Sequence, residues 1–404
     1  FMESSGFLVR SMNSNLTLAG KDILFRDLFL YLDSSIINAN HVIISGDETD
    51  GFGNFTEKVR LNISLDKSLI SAPDLRYFLP AAGGLKESVE LSGRITGTVS
   101  DMNGRKITAA YRDFTRLECD FDMSGLPDIK NTFIHISIGR LSTSSSDMEM
   151  IRRNGKALNL PEVIRKLGNI SFAGSFTGFT TDFVTYGKIG TDAGSLKTDI
   201  SFRPEGKGNF RIRGLVKGEN VDLGLLTDNS EMLGKLTMET DVDGYATSAT
   251  NISGNLTGRI DSVEVNKYVY RNVTLNGIFT EKTWDGNIKI SDRNIRMDML
   301  GMLDFSNELP EFDFTLNLAE SNLHKLNFDK SDTTSGLSML ATANFRGNNI
   351  DNLFGEIRLL NSTIRKYGNK LDLYDFTLKA FNEGGKPALS VKTHFVDADL
   401  RGYY

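Results

Sequence analysis

The chain of 404 residues holds one cysteine, Cys119, one tryptophan and seven prolines. A single cysteine excludes any intrachain disulfide and reads as a small buried hydrophobe. No apolar run reaches the ~18 residues that a membrane-spanning helix needs, and no signal-peptide pattern is visible. Lys and Arg number 46 against 52 Asp and Glu, a net charge of −6, and the two signs are interspersed. Without a basic stripe, nucleic acid is excluded as a natural partner.

Catalytic and metal-binding patterns are missing as well. His41, His135, His324 and His394 lie far apart and form no metal-ligand spacing. There is no Gly-x-Ser-x-Gly elbow. The stretch Gly187-Lys-Ile-Gly190 lacks the Gly-Lys-Ser/Thr of a phosphate loop. Asp120 and Asp122 share a strand face around Phe121 and read as a solvated face rather than an acid–base pair. The expectation is a non-enzyme without cofactor or metal. Eight Asn-x-Ser/Thr triplets occur, at Asn15, Asn54, Asn62, Asn169, Asn251, Asn255, Asn272 and Asn361. Strands with polar alternate positions generate such triplets readily, so they are not read as glycosylation sites.

What is present is repetition. Leu91-Ser-Gly-Arg-Ile-Thr-Gly97, Phe172-Ala-Gly-Ser-Phe-Thr-Gly178 and Ile252-Ser-Gly-Asn-Leu-Thr-Gly258 say nearly the same thing. Each reads apolar, Gly, apolar, Gly at alternate positions, which describes a strand with one greasy, Gly-notched face. Period-2 alternation recurs in Leu61–Leu65, Val273–Phe279, Gly286–Ile290 and Phe312–Leu318. Such half-buried strands argue for antiparallel sheet, since parallel strands are apolar on both faces. Helices are expected to be few and short, near 73–79, at Pro161–Leu167, at Val221–Leu226 and at Ser321–Leu326. Thr143–Ser146 and Asp329–Gly336 read as exposed loops.

The fold class is therefore all-β. Two blocks of about 100 residues, about 210–305 and 312–404, look like copies, with Gly254 matching Gly355 at an offset of 101. They suggest a repetitive array: residues 1–160 form its first part and 161–404 continue it. A one-faced strand must bury that face in a sandwich, in a closed barrel, or in a long sheet curled into a trough. Glycines alternating with Phe, Ile and Leu favour the elongated, curled antiparallel sheet, because Gly permits bending and leaves space on the greasy face. The candidate groove positions are Leu61, Ile63, Leu65, Val273, Leu275, Phe279, Ile288, Ile290, Phe312, Phe314, Leu316 and Leu318.

The order of several phrases resembles the TamB/AsmA-like family of bacterial envelope proteins, in its Bacteroidota form. They are Ser71-Ala-Pro-Asp-Leu-Arg-Tyr-Phe-Leu-Pro80 leading to Leu91–Gly97, and Leu160-Pro-Glu-Val-Ile-Arg-Lys-Leu-Gly-Asn-Ile170 running into Phe172–Gly178. Then come Tyr186–Gly194, Leu233-Gly-Lys-Leu-Thr with Asp243-Gly244, Tyr268–Gly277, and Asp292-Arg-Asn-Ile with Gly301–Phe305. Together they span most of residues 60–330. The resemblance implies a β-taco-like groove that carries phospholipid acyl chains across the periplasm of a Gram-negative bacterium. It implies a parent chain anchored in the inner membrane, with a TamA/BamA-type outer-membrane barrel as partner through parts absent here. The chain opens Phe1-Met2 and is expected to be an internal segment. An alternative expectation is a chaperone or scaffold for outer-membrane protein assembly, acting by strand pairing; a third is a bland β-domain with a dry core.

Overall fold

A computed structural model describes residues 7–76, 85–206, 208–247, 251–384 and 386–402. Strand makes up 69% of it and helix 7%, so the chain is all-β. It divides into two compact units, Phe1–Arg203 and Pro204–Tyr404; residue 160 lies inside a connector of the first.

In the first unit the strands are β1 (Val9–Ala19), β2 (Asp22–Leu32), β3 (Ile36–Ser45), β4 (Arg60–Ser71), β5 (Ser88–Gly97), β6 (Asp101–Tyr111), β7 (Thr115–Ser124) and β8 (Phe133–Ser144). A short hairpin, β9 (Arg152–Arg153) with β10 (Lys156–Ala157), interrupts them. They resume as β11 (Asn169–Gly178), β12 (Phe183–Thr191) and β13 (Gly194–Pro204). The second unit runs β14 (Phe210–Asp222), β15 (Leu233–Ala246), β16 (Ile252–Val265), β17 (Tyr268–Thr280), β18 (Thr283–Asp292), β19 (Ile295–Asp304), β20 (Glu311–Ser321), β21 (Gly336–Arg346), β22 (Phe354–Lys366), β23 (Asn369–Glu383), β24 (Lys386–Thr393) and β25 (Asp397–Arg401). Within each unit the strands follow one another as an antiparallel meander, and the sheet stays open. Gly254 lies in β16 and Gly355 in β22, the third strands of the β14–β19 and β20–β25 blocks. Tight turns fit the sequence: Asn266-Lys267 and Tyr367-Gly368 both take positive φ, as two-residue hairpin loops require.

The helices are a turn or so long: α1 (Phe55–Lys58), α2 (Ala72–Leu75), α3 (Ser145–Glu149), α4 (Glu162–Lys166) and α5 (Leu223–Thr227). Of the helix expected near 73–79, Tyr77–Leu79 lie outside the described residues. Residues 323–327 form hydrogen-bonded turns rather than a helix. Thr143–Ser146 is not an exposed loop. Ser144 is buried and its hydroxyl accepts from Asp147 N at 3.1 Å, capping α3. Nor is 329–336 fully exposed, since Asp332 and Ser335 are buried.

Because each meander reverses at every strand, the connectors after β4 and β8 share one edge of the first unit's sheet, and those after β14 and β20 share one edge of the second's. Buried acids tie them to the hairpin turns beside them. In the first unit Asp74, after β4, accepts from Ser34 N in the β2–β3 turn at 3.0 Å. Asp147, after β8, accepts from Phe114 N (3.0 Å), Thr115 N (2.8 Å) and Thr115 Oγ1 (2.9 Å) at the β6–β7 turn. Glu87 takes the Tyr111 hydroxyl (3.0 Å) and Arg152 N (3.3 Å). These bonds run crosswise to the strands and lace this edge of the first unit.

The apolar face carries the creases. A Cβ on Gly254 would lie 2.3 Å from the Cα of its partner Gly244, where paired Cβ atoms normally stand about 4.5–5.5 Å apart. Gly301 has φ +145°, and a Cβ there would lie 2.2 Å from the Asp313 carbonyl oxygen and 2.5 Å from Phe314 Cα. The strands thus approach closely on their greasy side.

Two stability effects follow. Gly301→Ala forces strained backbone and a clash at one position, and should cost about 1–3 kcal/mol in denaturant unfolding of the whole chain. Asp147→Ala removes the acceptor for two backbone amides and should cost roughly 3 kcal/mol, whereas Glu149→Ala on the same helix, whose partner Arg165 is an exposed pair, should change it by less than about 1 kcal/mol.

Candidate functional site

Directly paired residues of neighbouring strands point to the same face, so the register converts the alternation of single strands into rows that cross the sheet. In the first unit one row passes through Phe25, Val42, Ile63, Ile95, Gly104, Phe121, Ile136 and Phe176. The next passes through Ile23, Ile44, Leu61, Gly97, Met102, Met123, Ile134, Gly178, Phe183 and Phe202. Leu65 pairs with Ala39 and Gly93 in a third. The three candidates on β4 thus share one apolar face.

The nine candidates of the second unit share another. Val273, Ile290 and Leu318 stand in one row with Ile260, Met297 and Met339. Leu275, Ile288 and Leu316 stand in the next with Met299 and Ala341. Phe314 shares a row with Gly277, Gly286 and Gly301; Phe279 and Phe312 share one with Trp284, Leu303 and Phe345. Along β20 the face shows in burial: Phe312, Phe314 and Leu316 are half-buried and Leu318 buried, while Asp313, Thr315 and Asn317 between them are exposed.

The face of the second unit has two zones. Towards the connector edge, Tyr270, Val273, Ile295, Leu318 and Leu326 form a dry cluster, with Leu275, Ile288, Ile290, Met297 and Met339 packed against it. Val273 and Leu318 are packed residues of this cluster rather than open floor. Towards the opposite edge the face is half-buried and aromatic. Phe312 stacks on Phe345 with ring centroids 4.8 Å apart and meets Phe305 edge-on at 5.8 Å. The first unit carries a comparable series, Phe176 to Phe183 at 4.8 Å and Phe183 to Phe202 at 5.2 Å.

The glycines of this face do not leave it empty. A Cβ on Gly104 would lie 2.2 Å from the Phe121 ring, on Gly187 2.5 Å from Phe172, and on Gly277 2.8 Å from Trp284. Each notch seats an aromatic ring from a neighbouring strand, an arrangement that restores the packing a glycine forfeits. At these three glycines the expected free space is filled by a ring, whereas Gly254, Gly286 and Gly301 meet the backbone of the adjoining strand.

These faces stay partly open to water. Most apolar side chains of these rows are half-buried rather than buried, and the open sheet rules out the barrel. The chain exposes 23597 Å². Two separate compact domains of half its mass would expose only about 19,000 Å² together.

The other residues of interest have structural places. Asp122 pairs with Arg105 at 2.6 Å, and Asp120 accepts from Lys106 N at a bulge. His41 meets Asn62 at 3.2 Å, His135 meets Thr177 at 2.8 Å, His324 meets the Asp329 carbonyl at 3.0 Å, and His394 lies edge-on to Tyr374. Cys119 is half-buried on the apolar face between Ile107 and Ile138, and burial pushes its thiol above the usual range. Sequence reasoning missed the β19 members, Met297, Met299 and Leu303, although Ile295-Arg-Met-Asp-Met carried the same alternation. It missed the buried acids Asp74, Asp147, Asp292 and Asp332 too; only Ser144-Ser-Ser-Asp147 held a legible sign, a capping pattern.

Comparison with known proteins returns no match to this chain among family models, curated proteins or solved structures.

Proposed function

We propose that the chain is a non-enzymatic lipid-transfer segment whose apolar sheet faces shield phospholipid acyl chains. One observation carries this reading: in each unit, apolar rows run across many strands and stay half-buried rather than closing into a dry core. A face of that kind in water is a binding surface in want of an apolar occupant. An acyl tail gains ~0.8 kcal/mol per buried CH₂, so a tail of roughly 16 carbons gains on the order of 10 kcal/mol when covered. Rings seated in the glycine notches leave a floor with few deep wells, which suits sliding along the rows. The family resemblance adds the setting: the periplasm of a Gram-negative bacterium, a longer parent chain anchored in the inner membrane, and a TamA/BamA-type barrel at the outer membrane.

A second reading has its own observation. Among the described residues β1 pairs only with β2, and Leu16 and Leu18 on it are 54% and 71% exposed. An exposed apolar strand of this kind can take up an extended partner strand, as a chaperone for outer-membrane proteins would.

Variants separate the readings. Phe314→Asp puts a charge on half-buried floor and should abolish phospholipid transfer between donor and acceptor vesicles while the far-UV spectrum and melting stay near wild type. Val273→Asp buries an unpaired carboxylate in the dry cluster and should destabilise the unit by about 3–5 kcal/mol. Transfer that persists in folded Phe314→Asp refutes the conduit. Peptide binding that survives Phe314→Asp but is lost in Thr17→Pro supports the chaperone.

A further inference from the structure

The most deeply buried large side chain of the second unit belongs to no strand. Leu326, 1% exposed, sits in the connector 322–335 between β20 and β21 and packs into the dry cluster on the apolar face. The connector reaches it as a strap along the sheet edge. Asn322 N donates to Asn294 O in the β18–β19 turn at 2.9 Å. Asn327 and Asn266 of the β16–β17 turn exchange bonds, Asn327 Nδ2 to Asn266 O at 2.9 Å and Asn266 Nδ2 to Asn327 O at 3.2 Å. At its other end Asp329 pairs with Lys366 at 3.0 Å, and Asp332 accepts from Tyr367 N in the β22–β23 turn. The Ser331 hydroxyl and Lys366 hold Asp329 well below the usual carboxylate range, so this clasp stays charged. The strap thus bridges three hairpin turns and delivers one aliphatic side chain onto rows that elsewhere remain half-open.

We infer that Leu326 occupies the place of an acyl chain on the connector-edge rows, and that the strap thereby confines ligand in this unit to the aromatic rows beyond. This rests on the lipid reading above and adds which part of the face takes the chain and which residue decides it. The dry rows around Val273 and Leu318 are closed by a side chain of the same chemistry as the ligand. The rows around Phe279, Trp284 and Phe312 have no such resident. The clasps are polar bonds at the rim, so the strap can part from the sheet without unpairing any strand.

The only tryptophan, Trp284, stands on the aromatic rows and reports on them directly. A second reporter, Met339→Trp in a Trp284→Phe background, stands on the dry rows. The full chain is mixed with phospholipid vesicles whose acyl chains carry bromine, a contact quencher of indole fluorescence. The expected result is loss of Trp284 emission with the Met339→Trp emission retained, and loss of the latter once Leu326→Ser opens the strap. Should Leu326→Ser fail to fold, Asn266→Gly and Asn327→Ala together with Asp332→Ala and Lys366→Ala remove the side-chain bonds of both clasps and should have the same effect. Equal quenching of both reporters with the strap intact overturns the confinement and leaves the lipid reading standing. A Met339→Trp signal that stays unquenched in folded, strap-opened variants overturns it too. Quenching of neither reporter overturns the lipid reading, and the inference with it.

Discussion

The sheet of each unit carries one apolar face, and that face is only half-buried. Everything else in this chain follows from that constraint. Alternation along β20 and its neighbours makes the face; the register lines the apolar positions into rows; the creases at Gly254 and Gly301 bring adjacent strands together on the greasy side. The burial so gained is partial. The hydrophobic effect scales with area removed from water, and much of the face remains half in water, which is costly for a finished core and useful for a surface that must accept an apolar guest.

The two edges of the second unit's face divide this labour. Towards the connectors the face is dry and clamped, with the strap and its Leu326 completing a small core. Towards the opposite edge the rings of Phe312, Phe345 and Trp284 pave it. In the first unit buried carboxylates such as Asp74 and Asp147 lace connectors to turns, and each carboxylate takes backbone amides that would otherwise lie unsatisfied. Charge-assisted bonds of this kind are among the stronger ones. They tie the connectors down at the rim with polar groups that stand off the apolar rows.

Much of this was legible in the sequence because a half-buried strand writes its burial into a period of two. Phe312-Asp-Phe-Thr-Leu-Asn-Leu318 declared both its secondary structure and its inner face. Register was not legible: that Ile290 meets Val273 and Met297 depends on hairpin turns and bulges rather than on local pattern. The glycines announced close approach but not the ring that fills each notch, since Phe121 and Phe172 come from elsewhere in the sheet or chain. The buried aspartates looked like surface residues, as isolated acids do. Leu326 lay hidden in a polar stretch between His324 and Asp329, where no periodicity marks it.

Whether the half-open face holds lipid is decided most directly by native mass spectrometry of the chain purified gently from membrane-containing cells. Phospholipid bound at one or more molecules per chain, absent from folded Phe314→Asp, is the expected result. A stable, lipid-free chain that takes up no phospholipid on reconstitution would contradict it and leave the sheet a scaffold.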